Sequence, residues 1–313
     1  MTKHISVMPK ETLDLLDVKP DGIYVDGTLG RGGHSKLILE KLKTGKLYCF
    51  DLDLQAIEES KEILKDYTNV IYIHDNFMNM NKYVEKVDGV LLDLGVSSPQ
   101  FDEAERGFSY NYDGPLDMRM NLEDRISAYD VVNKYEEKEL ERIFREYGEE
   151  KFSRLIARKI VEVRKEKPID TTFALVDVIK SALPKKVLSK KGHPAKQCFQ
   201  AIRIEVNHEL DSLKKFLDSF DEILKVDGRV VIITFHSLED KLVKYHFKKI
   251  TSVEDDVRIA CLPQDVKHAD YELLNHGKKA SNEELENNRR AKSAIVRGVR
   301  KVYGKVCKKK EKD

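Results

Sequence analysis

A five-residue β-forming run, Gly22–Asp26 (GIYVD), passes directly into a glycine-rich turn, Gly27-Thr-Leu-Gly-Arg-Gly-Gly33, and then into an amphipathic helical pattern over His34–Leu42. No other stretch of the 313 residues constrains the fold as much. A strand that turns through glycines into a helix opens a βαβ unit, and such units wind right-handed into a parallel sheet. The alternation then repeats. Lys46–Asp51 (KLYCFD) reads as a second strand, Gln55–Lys65 as a second helix, Asn69–His74 as a third strand and Asp88–Leu94 as a fourth. These runs are almost continuously apolar, as strands covered on both faces require.

The pattern changes further on. From about Arg106 to Lys196 no strand is convincing; Glu137–Tyr147 and Phe152–Val163 carry helical periodicity, and Pro168 and Pro184 punctuate the later part of the segment. Phe199–Leu224 reads as one long amphipathic stretch, and Arg229–Phe235 (RVVIITF) resumes the sheet. The expected fold is therefore α/β, Rossmann-like, with a mostly parallel sheet and an inserted all-helical domain. Residues 1–105 and 199–313 form the two pieces of the sheet domain, with 106–198 inserted between them.

Composition narrows the class. With 41% hydrophobic and 35% charged residues the chain is globular, not disordered. Its longest apolar runs fall far short of the ~20 residues that span a bilayer. The amino terminus lacks the apolar core of a secretory signal, so a cytoplasmic protein without membrane attachment is expected. Cys49, Cys198, Cys261 and Cys307 lie far apart with no C-x-x-C pair, which reads as reduced thiols and no metal site.

The net charge of +1 conceals an asymmetry. Lys151–Lys196 holds thirteen Lys and Arg against four Asp and Glu, and Arg289–Lys310 holds ten basic residues and no acidic one. Each block reads either as a surface for a polyanion or as a solvated face and tail.

The glycine turn sets the ligand question, because it lets a ligand approach the backbone. The dinucleotide fingerprint G-x-G-x-x-G/A is nearly met by Gly30-Arg-Gly32-Gly-His-Ser35, which ends in serine. The D-x-G-x-G-x-G turn of S-adenosylmethionine (AdoMet) enzymes is met by Asp26–Gly32, except that Thr28 stands at the first glycine. A P-loop is excluded, since no Gly-Lys-Ser/Thr comes after it. Asp51 closes the second strand, where a carboxylate can accept both ribose hydroxyls, with Asp53 its rival. Asp75-Asn76-Phe77 comes after the third strand and offers an amide edge and an apolar face for adenine. Asp93 ends the fourth. Each acid alone reads as a cap or turn former, but acids at successive strand ends point to a nucleotide-like cofactor.

Six segments then carry a resemblance: DGTLGRGGHS (Asp26–Ser35), LLDLGVSSPQFDEAERGFSY (Leu91–Tyr110), DGPLDMRM (Asp113–Met120), HPAKQCFQAIRIEVNHEL (His193–Leu210), FHSLEDKLVK (Phe235–Lys244) and NRRAKSAIVRGVRK (Asn288–Lys301). Together they closely resemble the bacterial 16S ribosomal RNA cytosine-N4 methyltransferases, the small-subunit rRNA methyltransferase H (MraW) family. The resemblance implies a class I AdoMet-dependent methyltransferase with an inserted helical domain for substrate, acting on a cytosine in the decoding region of the small subunit. It carries cofactor contacts onto Gly32, Gly33, His34, Asp51, Phe77, Asp93 and Gln100, and favours Asp51 over Asp53. Two departures stand out. Ser97-Ser98-Pro99-Gln100 replaces the N/D-P-P-Y/F segment of DNA amino-methyltransferases, and Asn288 is followed by Arg289 where proline is usual.

For this chemistry Asp93, with the carbonyls of Leu94–Ser98, is the candidate acceptor for the cytosine amine hydrogens, and His236 a candidate substrate or orienting group. The target base must leave its stack to enter such a pocket, and the basic insert would hold RNA phosphates of the small ribosomal subunit. Two rivals belong to other classes. A nicotinamide oxidoreductase needs glycine or alanine at Ser35. A non-catalytic RNA-binding assembly factor would not need an intact cofactor turn. A DNA cytosine-N4 methyltransferase is disfavoured by the missing N/D-P-P-Y/F segment. Monomer and homodimer both stay open.

Overall fold

The computed structural model describes residues 6–252 and 269–303. In chain order the first helix α1 (Pro9–Leu16) leads into β1 (Ile23–Asp26), α2 (Gly33–Leu39), β2 (Lys46–Asp51), α3 (Leu54–Ile63), β3 (Val70–His74) and β4 (Val87–Asp93). Helices succeed one another without a strand: α4 (Ser98–Asp102), α5 (Ala128–Lys134), α6 (Glu137–Glu146), α7 (Ser153–Arg164), α8 (Thr172–Ala182), α9 (Lys185–Leu188), α10 (Lys196–Asn207) and α11 (Glu209–Ser219). Then come β5 (Leu224–Thr234), α12 (Ser237–Thr251), β6 (Tyr271–Leu273), β7 (Lys278–Lys279), α13 (Asn282–Asn287) and β8 (Ile295–Lys301).

The chain divides into two compact units, residues 1–95 with 212–313, and residues 96–211. In the first, the sheet runs β3-β2-β1-β4-β5-β8-β6, with β7 also pairing β8. The strands β1 to β5 are mutually parallel. Chain order reverses between β1 and β4, the switch point at which open α/β sheets bind ligands. Alternation puts Val90, Leu92, Val230 and Ile232 into one core and Leu91, Val231 and Ile233 into the other, so both faces are dry.

The far edge of the sheet was not anticipated from the sequence. Strand β8 runs antiparallel to β5 from Thr234↔Ile295 to Arg229↔Arg300, and β6 and β7 pair antiparallel on its other side. All three come from segments with too few apolar residues to announce a strand; partners distant in sequence supply their hydrogen bonds.

The second unit is helical around Phe108, Leu140, Phe144, Ile156, Leu175 and Phe199, with Pro115↔Thr171 its isolated bridge among the described residues. Its limits at 95/96 and 211/212 lie outside the 106–198 read from the sequence. Cys198, Phe199, Ala201, Ile202 and Val206 of α10 all pack into this helical core, which keeps α10 in the unit. The long amphipathic stretch Phe199–Leu224 is also two helices, not one. His208 takes the left-handed conformation (φ 50°) between them, and Asn207 hooks back to the Met118 carbonyl and accepts the Met120 N–H. No helix among the described residues is long and apolar enough to cross a membrane.

Candidate active site

Because β1, β2 and β4 are parallel and in register, their final residues Asp26, Asp51 and Asp93 stand at one edge of the sheet. Asp75 follows β3 at the same edge.

The glycine turn crosses this edge and is tied down on every side. Gly27 N–H donates to the Leu91 carbonyl, Leu29 N–H to Phe50, and Gly30 N–H to Asp51 Oδ2 at 2.7 Å. Gly30 (φ 50°) and Gly32 (φ 71°) hold left-handed conformations that a side chain would strain. Both motif departures have a structural use. Ser35 donates its hydroxyl to Asp26 Oδ2 at 2.7 Å while Thr28 N–H donates to Oδ1, so the buried Asp26 braces the turn instead of facing a ligand. Burial pushes its carboxyl up, against these two hydrogen bonds and the neighbouring His34. The Thr28 hydroxyl accepts Asp93 N–H at 2.6 Å.

Asp51 and its rival separate cleanly. Asp53 is buried and N-caps α3, accepting the Gln55 N–H at 3.1 Å. Asp51 accepts one backbone N–H on each oxygen, from Gly30 (2.7 Å) and Asp53 (2.9 Å). Those bonds set the plane of the carboxylate and leave a lone pair on each oxygen for a further donor. Burial pushes its carboxyl up to about 6, although both N–H donors pull the other way.

Beyond β3, Asp75 and Asn76 are spent on the loop itself. Asp75 accepts from Asn79, Tyr83 and the Asn76 N–H; Asn76 caps the next turn and donates to Ser212 Oγ. One N–H of the Asn76 side-chain amide is thus committed to Ser212, and Phe77 is half-buried and packs edge-on against Phe216 at 6.0 Å.

His34 and Asp93 meet at the rim. His34 Nε2 lies 3.5 Å from Asp93 Oδ2, with side chains 7% and 23% exposed. Neither ring nitrogen of His34, nor Asp93 Oδ1, has a hydrogen-bond partner among the described residues. Burial drives His34 towards its neutral form, but Asp93, with Asp26 and Glu284 behind it, outweighs this and raises its pKa. The buried His34 and the partly exposed Asp93, each with an open polar atom at the edge where open α/β sheets bind ligands, mark the candidate site.

Gly32, Gly33, His34, Asp51, Phe77 and Asp93 thus lie on the sheet unit around this edge. Gln100 belongs to the helical unit, where it is 5% exposed and its Oε1 accepts Ser97 N–H at 2.9 Å in a capping box. His236 follows β5 at the N-cap of α12, its Nε2 3.1 Å from Oε1 of the buried Glu239. The other Glu239 oxygen accepts the Phe235 N–H at 2.8 Å. Asn288, where the family pattern continues with proline, N-caps the short turn Arg289–Ser293.

The basic blocks behave differently from each other. In the tail, Arg297 and Lys301 are buried and not open to a polyanion. Arg297 pairs with Asp240 at 2.8 Å; Lys301 lies 2.8 Å from Asp221 and donates to the Leu224 carbonyl, and Arg300 pairs with Glu272. Positions 304–310 lie outside the described residues. In the helical unit, by contrast, Arg154 and Arg158 of α7 are exposed, as are Lys151 just before the helix and Lys165 just after it. Cys49 and Cys198 are buried free thiols; Cys261 and Cys307 lie outside the described residues.

Sequence reasoning missed Thr28, Ser35 and the Asp240–Arg297 pair. For the first two the signal was the motif departure itself, a hydroxyl where glycine is the rule.

Comparison with known proteins places the chain in a family. The MraW methylase family model matches residues 1–302. A ribosomal RNA small subunit methyltransferase H from Clostridium botulinum (strain Loch Maree / Type A3) is 53% identical over 312 residues, 96% of this chain and 99% of that protein. One from Streptococcus mutans is 50% identical over 309 residues, 96% and 98%. A solved rRNA methylase from Streptococcus thermophilus is 14% identical, covers 94% of each chain and has a TM-score of 0.38. A match that runs from the first residue through β8, with half of all positions identical, means that the chain belongs to the MraW methylase family.

Proposed function

We propose that this protein transfers the methyl group of AdoMet to the exocyclic N4 amine of one cytosine in the decoding region of 16S ribosomal RNA. The observation that carries the reading is the open Asp93–His34 pair at the carboxyl edge of the sheet, in a chain of this family.

The residues present fit AdoMet. Asp51 has one lone pair on each oxygen for the ribose hydroxyls. Phe77 offers a partly exposed ring to the adenine, and Gly32 and Gly33 keep side chains away from the turn. Asp93 Oδ1 awaits a cationic or N–H neighbour, and the open His34 nitrogens await the cofactor's polar end. Gln100 completes the proposed contacts on the strength of the resemblance alone. When bound, the cofactor supplies an electrophilic methyl group on a sulfonium.

The protein's part is orientation and charge. A cytosine amine is a poor nucleophile because its lone pair is delocalised into the ring. Asp93 accepts an amine N–H, which favours pyramidalisation and draws off positive charge as the bond forms. His236, held against Glu239, orients the base, and the exposed cations of α7 take up RNA phosphates, so affinity falls as salt rises.

Incubation with tritiated AdoMet and small subunits lacking the mark tests the reading. Label confined to one cytosine is the expected result; no label at saturating cofactor overturns it.

The cofactor site also has an acid limit. Only ionised Asp51 can accept from both ribose hydroxyls, and its carboxyl is pushed up to about 6. AdoMet affinity measured by calorimetry from pH 8 to pH 5 should be flat above that value and weaken by about tenfold per pH unit below it. Asp51→Asn should bind weakly and lose this limb, which separates it from titration of His34. Constant wild-type affinity across the range would remove Asp51 from the site.

A further inference from the structure

We infer that Thr28 is a positioning residue for methyl transfer, its hydroxyl holding the backbone of Asp93 so that the carboxylate faces the reacting centre. The inference rests on the role given to Asp93 above.

Strand geometry leaves one N–H at the end of β4 without a main-chain acceptor. Just past β4, Leu94 N–H points to β5 and reaches the Ile233 carbonyl at 3.0 Å. Leu91 points to β1, and its carbonyl accepts Gly27 N–H at 2.9 Å. Side alternates along a strand, so Asp93, two residues after Leu91, also turns its N–H towards β1. But β1 ends at Asp26, and the chain has already left the sheet for the glycine turn. No main-chain carbonyl of β1 remains to receive that N–H. Thr28 Oγ1 takes the vacant place at 2.6 Å.

Asp93 depends on this bond to an unusual degree. Its carboxylate is not held by its own head group: Oδ1 has no hydrogen-bond partner among the described residues, and Oδ2 is 3.5 Å from His34. The position of the carboxylate is therefore set by its backbone. Thr28 is itself fixed, since its N–H donates to Asp26 Oδ1 and Asp26 Oδ2 receives the Ser35 hydroxyl. A hydrogen-bonded chain thus runs from α2 through the end of β1 to the end of β4. A glycine at position 28, as the motif prescribes, would break it at its last link.

The test is methyl transfer to unmarked small subunits by Thr28→Val, which is close in shape and cannot accept, by Thr28→Gly, which the turn accommodates, and by Thr28→Ser. Displacement of a reacting-site group by about 1 Å costs up to about a hundredfold. Thr28→Val and Thr28→Gly should accordingly lose about ten- to a hundredfold in kcat at saturating AdoMet, a larger change than in the KM for AdoMet, and Thr28→Ser should recover most of the loss. In an Asp93→Asn background Thr28→Val should cost nothing further, because the two act through one group. Wild-type kcat in Thr28→Val or Thr28→Gly overturns the inference, as does a Thr28→Val loss of equal size with or without Asp93. If Thr28→Val does not fold, Thr28→Gly and its own cycle with Asp93→Asn decide. An active wild type beside active Thr28 variants sinks only the role of Thr28; a wild type that labels no cytosine sinks the function and this inference together.

Discussion

Asp93→Asn should lower methyl transfer at saturating AdoMet by about two to three orders of magnitude while leaving the fold intact. The substitution keeps the shape of the side chain and the backbone N–H that Thr28 holds. What it removes is a negative charge with an open oxygen, which in the proposed reaction faces the positive charge that develops on the amine. The close partner of that charge among the described residues is His34 at 3.5 Å, beyond the usual hydrogen-bond length, so the loss of stability should be small beside the loss of methyl transfer. His34 supplies a second readout. Its pKa is raised against the effect of burial mainly by Asp93, so in the variant the imidazole should titrate at lower pH, visible by NMR. Single-turnover rates matching wild type would remove Asp93 from catalysis; an unshifted His34 would mean that the pair does not form.

The second large effect is on stability, and it comes from residues that the sequence presented as part of a basic tail. Asp240→Ala should cost about 3–5 kcal/mol in urea unfolding, because it strands the Arg297 guanidinium inside the protein. That guanidinium donates to both Asp240 oxygens at 2.8 and 3.1 Å and to the His276 carbonyl at 2.7 Å, and its side chain is 9% exposed. The pair joins α12 to β8, fifty-seven residues apart in the chain. Replacing both partners together, Asp240→Leu with Arg297→Met, should recover much of the loss, since no buried charge is then left unpaired. A double variant as unstable as Asp240→Ala would show that hydrogen bonding, not charge, is what the site needs.

Much of the candidate edge was legible in the sequence because it is built locally. Strand, glycine turn and helix succeed one another within Ile23–Leu39, and an aspartate at the end of a parallel strand reaches the binding edge whatever the rest of the sheet does. The pattern therefore brought Asp51, Phe77 and Asp93 to that edge as candidates, with Asp53 still beside Asp51 until the resemblance was weighed. Asp53 against Asp51 was harder, because both lie at the same turn; only the capping bond to Gln55 tells them apart. The two hydroxyls read as blemishes in a motif, Thr28 and Ser35, are the atoms that hold the turn to β4 and to Asp26.

The sequence by itself determined the βαβ order, the glycine turn with its aspartates, the helical character of the interruption and membership of the family. Tertiary structure alone decided where the two units divide, that the last strands run antiparallel against β5, and that Arg297 and Lys301 face inward instead of outward. The physical reason is range. Periodicity, capping and turn chemistry act over a few residues and leave their mark on neighbouring letters. A ladder partner, a buried counter-ion or an acceptor for a single orphaned N–H is chosen across tens of residues, by whatever group the fold brings within about 3 Å.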